Sequence, residues 1–198
     1  INDPRFAPAG VLAPKSKADL AFVMHILSWL DTSGTAAIVC FPGIMYRGGA
    51  EKKIRKYLID NNFVEAIIQL PDNLFYGTTI ATCILVLKKS KKDNKILFID
   101  ASKEFVKVTN SNKLTDQNIE NVITHLNDRK DSQYLTKLVT IDDVAEQDYN
   151  LSVSTYVEQK DNREKVDIVK LNKDLEEIVK KENELRKAID KIIADLER

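Results

Sequence analysis

Two flat side chains, Phe75 and Tyr76, stand together in Leu74-Phe75-Tyr76-Gly77-Thr78-Thr79, a loop-like stretch between Pro71 and the apolar run that begins at Ile80. An enzyme that works on a nucleobase must take that base out of its stack and hold it against flat, apolar groups. Aromatics on a loop just ahead of a strand suit the task. The alternative is that Phe75 plugs a core, as most Phe residues do. A second candidate is Tyr46-Arg47-Gly48-Gly49, whose glycines permit positive φ. They let the backbone approach a ligand or a neighbouring chain closely, or they simply make a strand-to-helix turn. A third is the basic cluster Arg47, Lys52, Lys53, Arg55 and Lys56. It either touches DNA phosphates or forms a solvated helix face. Lys88, Lys89, Lys91 and Lys92 read as the mark of a turn. His25 and His125 have no neighbouring nucleophile and receive no catalytic role. With two His and two Cys widely scattered, no metal site is expected.

The elements that must carry these groups are legible from punctuation. All five Pro and all six Gly lie at or before Gly77, so tight turns join the elements of the front half. Ser16 and Asp19 resemble a capping box, and Leu20, Val23, Met24, Leu27 and Leu30 follow at helical spacing. Thr35 to Phe41 (TAAIVCF) reads as a buried strand. AEKKIRKYLIDNN carries Ile54, Leu58 and Tyr57 on one stripe and predicts a helix. Phe63 to Leu70, Ile80 to Leu87 and Ile96 to Ala101 predict three more strands. Helix and strand in alternation imply an α/β sheet with crossover connections. The last two strands have no helix between them, which predicts an antiparallel hairpin at the edge. The pattern is that of the second half of a doubly wound fold.

After Ala101, Thr115 caps a predicted helix with Ile119, Val122, Ile123 and Leu126 on one face. Residues 128–160 hold strand-like pieces, KLVTI and NLSVSTYV, whose order the sequence leaves open. The tail is regular. Ile168, Leu171, Leu175, Ile178, Glu182, Leu185, Ile189, Ile192 and Leu196 alternate spacings of three and four, and eight of these nine are apolar. That is a heptad seam on a helix from about Arg163 to Glu197, roughly 50 Å long at 1.5 Å per residue. So narrow a stripe needs a second helix against it. It packs on its own domain or, as expected here, on a partner helix from another chain.

Hydrophobic residues make up 43% and charged residues 30%, which argues against wholesale disorder. Lys+Arg and Asp+Glu both number 30, so any polyanion must be bound through a local patch. No run approaches the roughly 18 apolar residues that span a bilayer, and the sequence shows no basic, apolar, small-residue stretch of the secretory kind, opening instead on the loop-like INDPRFAPAG. The start at Ile1 suggests a piece of something larger. Cys40 and Cys83 sit in strand-like runs and are expected as buried free thiols of a reducing compartment.

Three stretches carry a resemblance. FPGIMYRGGAEKKIRKYLIDN (Phe41 to Asn61) and EAIIQLPDNLFYGTTIATCILVLKKS (Glu65 to Ser90), with KSKADLAFVMHILSWL (Lys15 to Leu30) ahead of them, closely resemble the modification (M) subunits of type I restriction–modification systems. These are S-adenosylmethionine-dependent adenine-N6 DNA methyltransferases. The resemblance implies an α/β fold: the C-terminal half of a Rossmann-like methyltransferase sheet (1–102), a small α+β extension (103–160), and a long coiled-coil helix for subunit assembly (161–198). It implies that Phe75, with Tyr76 the second choice, matches the aromatic that packs on the flipped base. It implies as partners a specificity (S) subunit, a second M subunit, a restriction (R) subunit and double-stranded DNA, in the cytoplasm and without a membrane. Two family landmarks are missing: a glycine-rich cofactor loop and the Asn-Pro-Pro-aromatic motif. No catalytic residue is therefore assigned, and this stretch alone is expected neither to bind S-adenosylmethionine nor to transfer methyl groups.

Overall fold

The computed structural model describes residues 3–160 and 168–196. In chain order the strands are β1 (Thr35–Cys40), β2 (Val64–Gln69), β3 (Cys83–Lys88), β4 (Lys95–Asp100), β5 (Val106–Val108), β6 (Ser111–Lys113) and β7 (Thr136–Thr140). Five of them form one sheet in the order β1-β3-β2-β4-β7, while β5 and β6 make a separate hairpin. The helices are α1 (Asp19–Trp29), α2 (Ala50–Asp60), α3 (Asp116–Asp128), α4 (Ile141–Glu146), α5 (Val153–Tyr156) and α6 (Ile168–Leu196).

The central strands are apolar without alternation because both faces are covered. Ile67, Leu85, Leu87, Ile96 and Phe98 join a core with residues of α1, α2 and α5. Ala66, Ile68, Val86, Leu97 and Ile99 form a second core, onto which Val122 and Leu126 of α3 pack. The apolar stripe of α1 is as expected, with Leu20, Val23, Met24 and Leu27 buried.

Several expectations need correction. β1 is not a buried strand. Thr35, Ala37 and Val39 are exposed in alternation with their neighbours, because helices cover only one of its faces. The Ser16–Asp19 capping box does not form; Ala18 caps α1 without a side-chain bond. No β3–β4 hairpin closes the edge. β3 inserts antiparallel between β1 and β2, and β4 pairs parallel with β2 instead. The antiparallel edge strand is β7, from the extension. The NLSVSTYV stretch holds α5 rather than a strand, and its Tyr156 ring lies 4.2 Å from that of Phe98. Thr115 does cap α3, exchanging hydrogen bonds with Asn118.

The chain forms two compact units, Ile1–Lys160 and Asp161–Arg198. In the second, α6 is a continuous helix. The predicted helix ends at 163–167 and 197 lie outside the described residues.

Candidate functional site

β1 and β2 both run antiparallel to β3, and β4 runs parallel to β2. The C-terminal ends of β1, β2 and β4 therefore lie at the same end of the sheet. The loops 41–49, 70–82 and 101–105 all leave from there, which is where open α/β sheets bind ligands.

The loop after β2 is built to present its aromatics. Leu70 N–H donates to the Thr82 carbonyl at 2.9 Å, and Gln69 Nε2 donates to the same oxygen at 3.0 Å, closing the neck. Within the loop Asn73 N–H donates to the Thr79 carbonyl at 3.3 Å, and Ile80 N–H to Thr78 Oγ1 at 3.1 Å. Gly77 turns the chain with φ 78° in open space. Leu74 is the residue that packs on the second core. Phe75 is not a core plug: it is 42% exposed, and Tyr76 is fully exposed.

The loop after β1 is a small lattice around a short 3-10 turn, Pro42–Met45. Arg47 lies over the Phe41 ring, 5.2 Å from its centre, and reaches Glu51 at 3.4 Å. A Cβ at Gly43 would meet the Arg47 guanidinium, which would have to shift to make room. Gly48 and Gly49 face open space, with φ 69° at Gly49. The backbone there forms no closed cradle.

The five basic residues do not form one patch. Arg55 leaves the cluster altogether. It is 2% exposed, and its guanidinium donates to the Ile44 and Tyr149 carbonyls, both at 2.9 Å. Burial pulls it down to about 10, while Glu51 and Asp148 oppose that shift, so it remains charged at neutral pH. It holds no phosphate, because it is inside. Lys52 pairs with Asp148. Lys56 bonds Asp60 at 2.7 Å and the Tyr149 hydroxyl at 2.6 Å. α2 thus uses much of its charge to anchor the 148–149 turn, two residues with φ 58° and 57°. Lys53 is exposed and makes no ion pair among the described residues.

A signal for this was present in α2. Its buried residues are Glu51, Ile54, Arg55, Leu58 and Ile59, which is a helical face at i, i+3, i+4, i+7 and i+8. Glu51 and Arg55 fall on that face by position alone. The sequence reading also missed Asn73, Asn110 and Asn112, which join two loops, and Arg129. The Arg129 guanidinium bonds Glu65 at 2.5 Å and Asp93 at 3.2 Å. Cys40 and Cys83 are both buried, directly opposite across β1 and β3. Burial pushes their thiols up to about 11 and about 12. No group of His, Cys, Asp and Glu suited to a metal occurs among the described residues.

Comparison with known proteins agrees with the motifs. The family model described as N-6 DNA Methylase matches residues 1–165. The chain belongs to the N-6 DNA methylase family. It is 51% identical over 197 residues to the type I restriction enzyme MpnII methylase subunit of Mycoplasma pneumoniae, covering 99% of this chain and 36% of that protein. It is 36% identical over 194 residues to the type I restriction enzyme MjaVII methylase subunit of Methanocaldococcus jannaschii, covering 95% of this chain and 33% of that one. The crystal structure of a type I restriction-modification system methyltransferase subunit from Streptococcus thermophilus superposes with a TM-score of 0.78 at 42% identity. That match covers 79% of this chain and 34% of the other. The chain thus spans about a third of the length of these N-6 DNA methylases.

Proposed function

We propose that this chain is the base-side and assembly portion of a type I adenine-N6 DNA methyltransferase (M) subunit. One observation carries the reading: Phe75 and Tyr76 stand exposed on a hydrogen-bonded loop at the strand-end face of the sheet. We read residues 1–102 as the C-terminal half of a Rossmann-like methyltransferase sheet, 103–160 as its extension and 161–198 as the assembly helix. Phe75 stacks on the extruded adenine with Tyr76 beside it, and Lys53, with the partly exposed Arg47, Lys52 and Lys56, lies along the phosphates.

S-adenosylmethionine supplies the methyl group in this reading, but the residues present do not fit it. The Gly48-Gly49 turn encloses nothing, and the sequence holds neither a G-x-G loop nor an Asn-Pro-Pro motif. The cofactor is assigned no residue here, and the chain alone transfers no methyl group.

The seam of α6 supports assembly. Ile168, Leu171, Leu175, Ile178, Leu185, Ile189, Ile192 and Leu196 are each at least half exposed on the helix by itself. They would lie against helices of a specificity (S) subunit or of a second M subunit, with a restriction (R) subunit joining the same complex on double-stranded DNA. A cytoplasmic setting belongs to the same proposal. Among the described residues no helix is long and apolar enough to cross a membrane.

The test is a duplex carrying a fluorescent adenine analogue at the target position, bound by the full-length methyltransferase with its specificity subunit. Phe75→Ala should change the emission of the extruded base and lower kcat by roughly tenfold to a hundredfold, the scale of lost base–aromatic stacking. Unchanged emission and kcat in both Phe75→Ala and Tyr76→Ala would remove the base-side role.

A further inference from the structure

The Phe75–Tyr76 loop does not hold its shape alone. The β5–β6 hairpin reaches it from the extension. Asn112 N–H donates to the Asn73 carbonyl at 2.9 Å, Asn112 Nδ2 donates to both the carbonyl and Oδ1 of Asp72 at 2.9 Å, and Asn73 Nδ2 donates back to the Asn110 carbonyl at 2.6 Å. Four hydrogen bonds thus join two surface turns that are remote in sequence.

The hairpin has little else to hold. Its ladder is three residue pairs long, well short of what a two-stranded ribbon needs for stability of its own. Val106 and Val108 are 43% and 47% exposed, so the hairpin adds no core. Its fixed point is the Asp72–Asn73 turn. Asn73 takes φ 48° there, a conformation that Asn tolerates better than most residues. The Asn73 amide N–H then closes the aromatic loop onto Thr79. One residue thus receives the hairpin through its carbonyl and side chain, and shapes the loop through its N–H.

Register adds a cation. Lys107 lies opposite Asn112, so the two side chains leave the same face of the hairpin. That face meets the loop, and Lys107 is exposed on it. The charged residues of 106–113 are Lys107 and Lys113, with no carboxylate among them.

We propose that Asn73 and Asn112 are positioning residues, and that the β5–β6 hairpin is a brace holding the Phe75–Tyr76 loop in its base-receiving pose. The inference rests on the reading of that loop as base-side. Misplacing a positioning element by about an ångström costs up to roughly a hundredfold in rate. The brace acts by removing that freedom before DNA arrives.

Two measurements test it. The first is amide hydrogen exchange on the 198-residue chain carrying Asn112→Asp. This change keeps the shape, removes the Nδ2 donor and sets a carboxylate against Asp72. Exchange across 73–80 should quicken by about tenfold or more while the β2–β4 ladder stays protected; unchanged exchange overturns the brace. The second uses the full-length methyltransferase with its specificity subunit and the fluorescent-adenine duplex. Asn112→Asp should lower kcat about tenfold and reduce the emission change, with KM for S-adenosylmethionine unaltered. The double variant Asp72→Asn with Asn112→Asp restores a donor facing an acceptor between the two side chains, though not the bond to the residue-72 carbonyl, and should recover both in part. If Phe75→Ala alters emission and Asn112→Asp does not, the brace fails and the base-side reading stands. If neither does, and Tyr76→Ala is silent too, the base-side reading has failed.

Discussion

Replacing Arg55 by Met tests whether the basic run on α2 is an internal fastener. Methionine keeps most of the buried stem and deletes the guanidinium. Two hydrogen bonds from a charged donor are lost, to the Ile44 and Tyr149 carbonyls, each worth about 1.5–3 kcal/mol. Glu51, 4% exposed, also loses a neighbouring positive charge and retains Arg47 at 3.4 Å. The expected loss is about 3–5 kcal/mol, the range for breaking a buried charge pair from one side. At about 2–4 °C per kcal/mol for a chain of this size, the melting midpoint should drop by about 6–20 °C. The assay is urea unfolding of the first unit, followed through Trp29, the single tryptophan of the chain. Lys53→Ala on the same helix is the control and should stay within about 0.5 kcal/mol. A folded Arg55→Met chain within about 1 kcal/mol of the parent would refute the reasoning, since it would show that the two carbonyls gain nothing net from the guanidinium.

The Lys91 ammonium donates to the Val64 carbonyl at 2.8 Å, and burial pulls it down to about 8 from an ordinary 10.5, with Asp93 and Glu65 opposing. Between those values the unfolded chain binds more protons than the folded one, so stability should rise with pH across that window; equal urea midpoints against pH for the parent and Lys91→Met would show that Lys91 is not the cause. In the seam of α6, Glu182 is the one polar position, so on the proposed assembly reading Glu182→Leu should tighten co-purification with the specificity subunit, whereas Leu185→Asp should weaken it by about a hundredfold. Both variants binding like the parent would show that the seam is not the interface.

The periodic features were legible because they are local. Continuous apolar runs announced β2, β3 and β4, whose two faces are covered, and the three-four spacing announced α6 without reference to any other part of the chain. The motifs around Arg47 and Phe75 announced the family, and the Thr115 cap announced α3. What the sequence could not order is what depends on distant partners. The insertion of β3 between β1 and β2 is a choice of direction and neighbour, and an apolar run fits either side of a sheet equally well. The burial of Arg55 is decided by a carbonyl 94 residues later in the chain. A charge on a helix reads as exposed until the segment that covers it is known. The hairpin at 106–113 was invisible for the same reason: three residue pairs carry no periodic signal, and its anchor, Asp72 and Asn73, lies some 40 residues earlier. Tertiary structure turned Phe75 outward as well, because Leu74 took the place in the core.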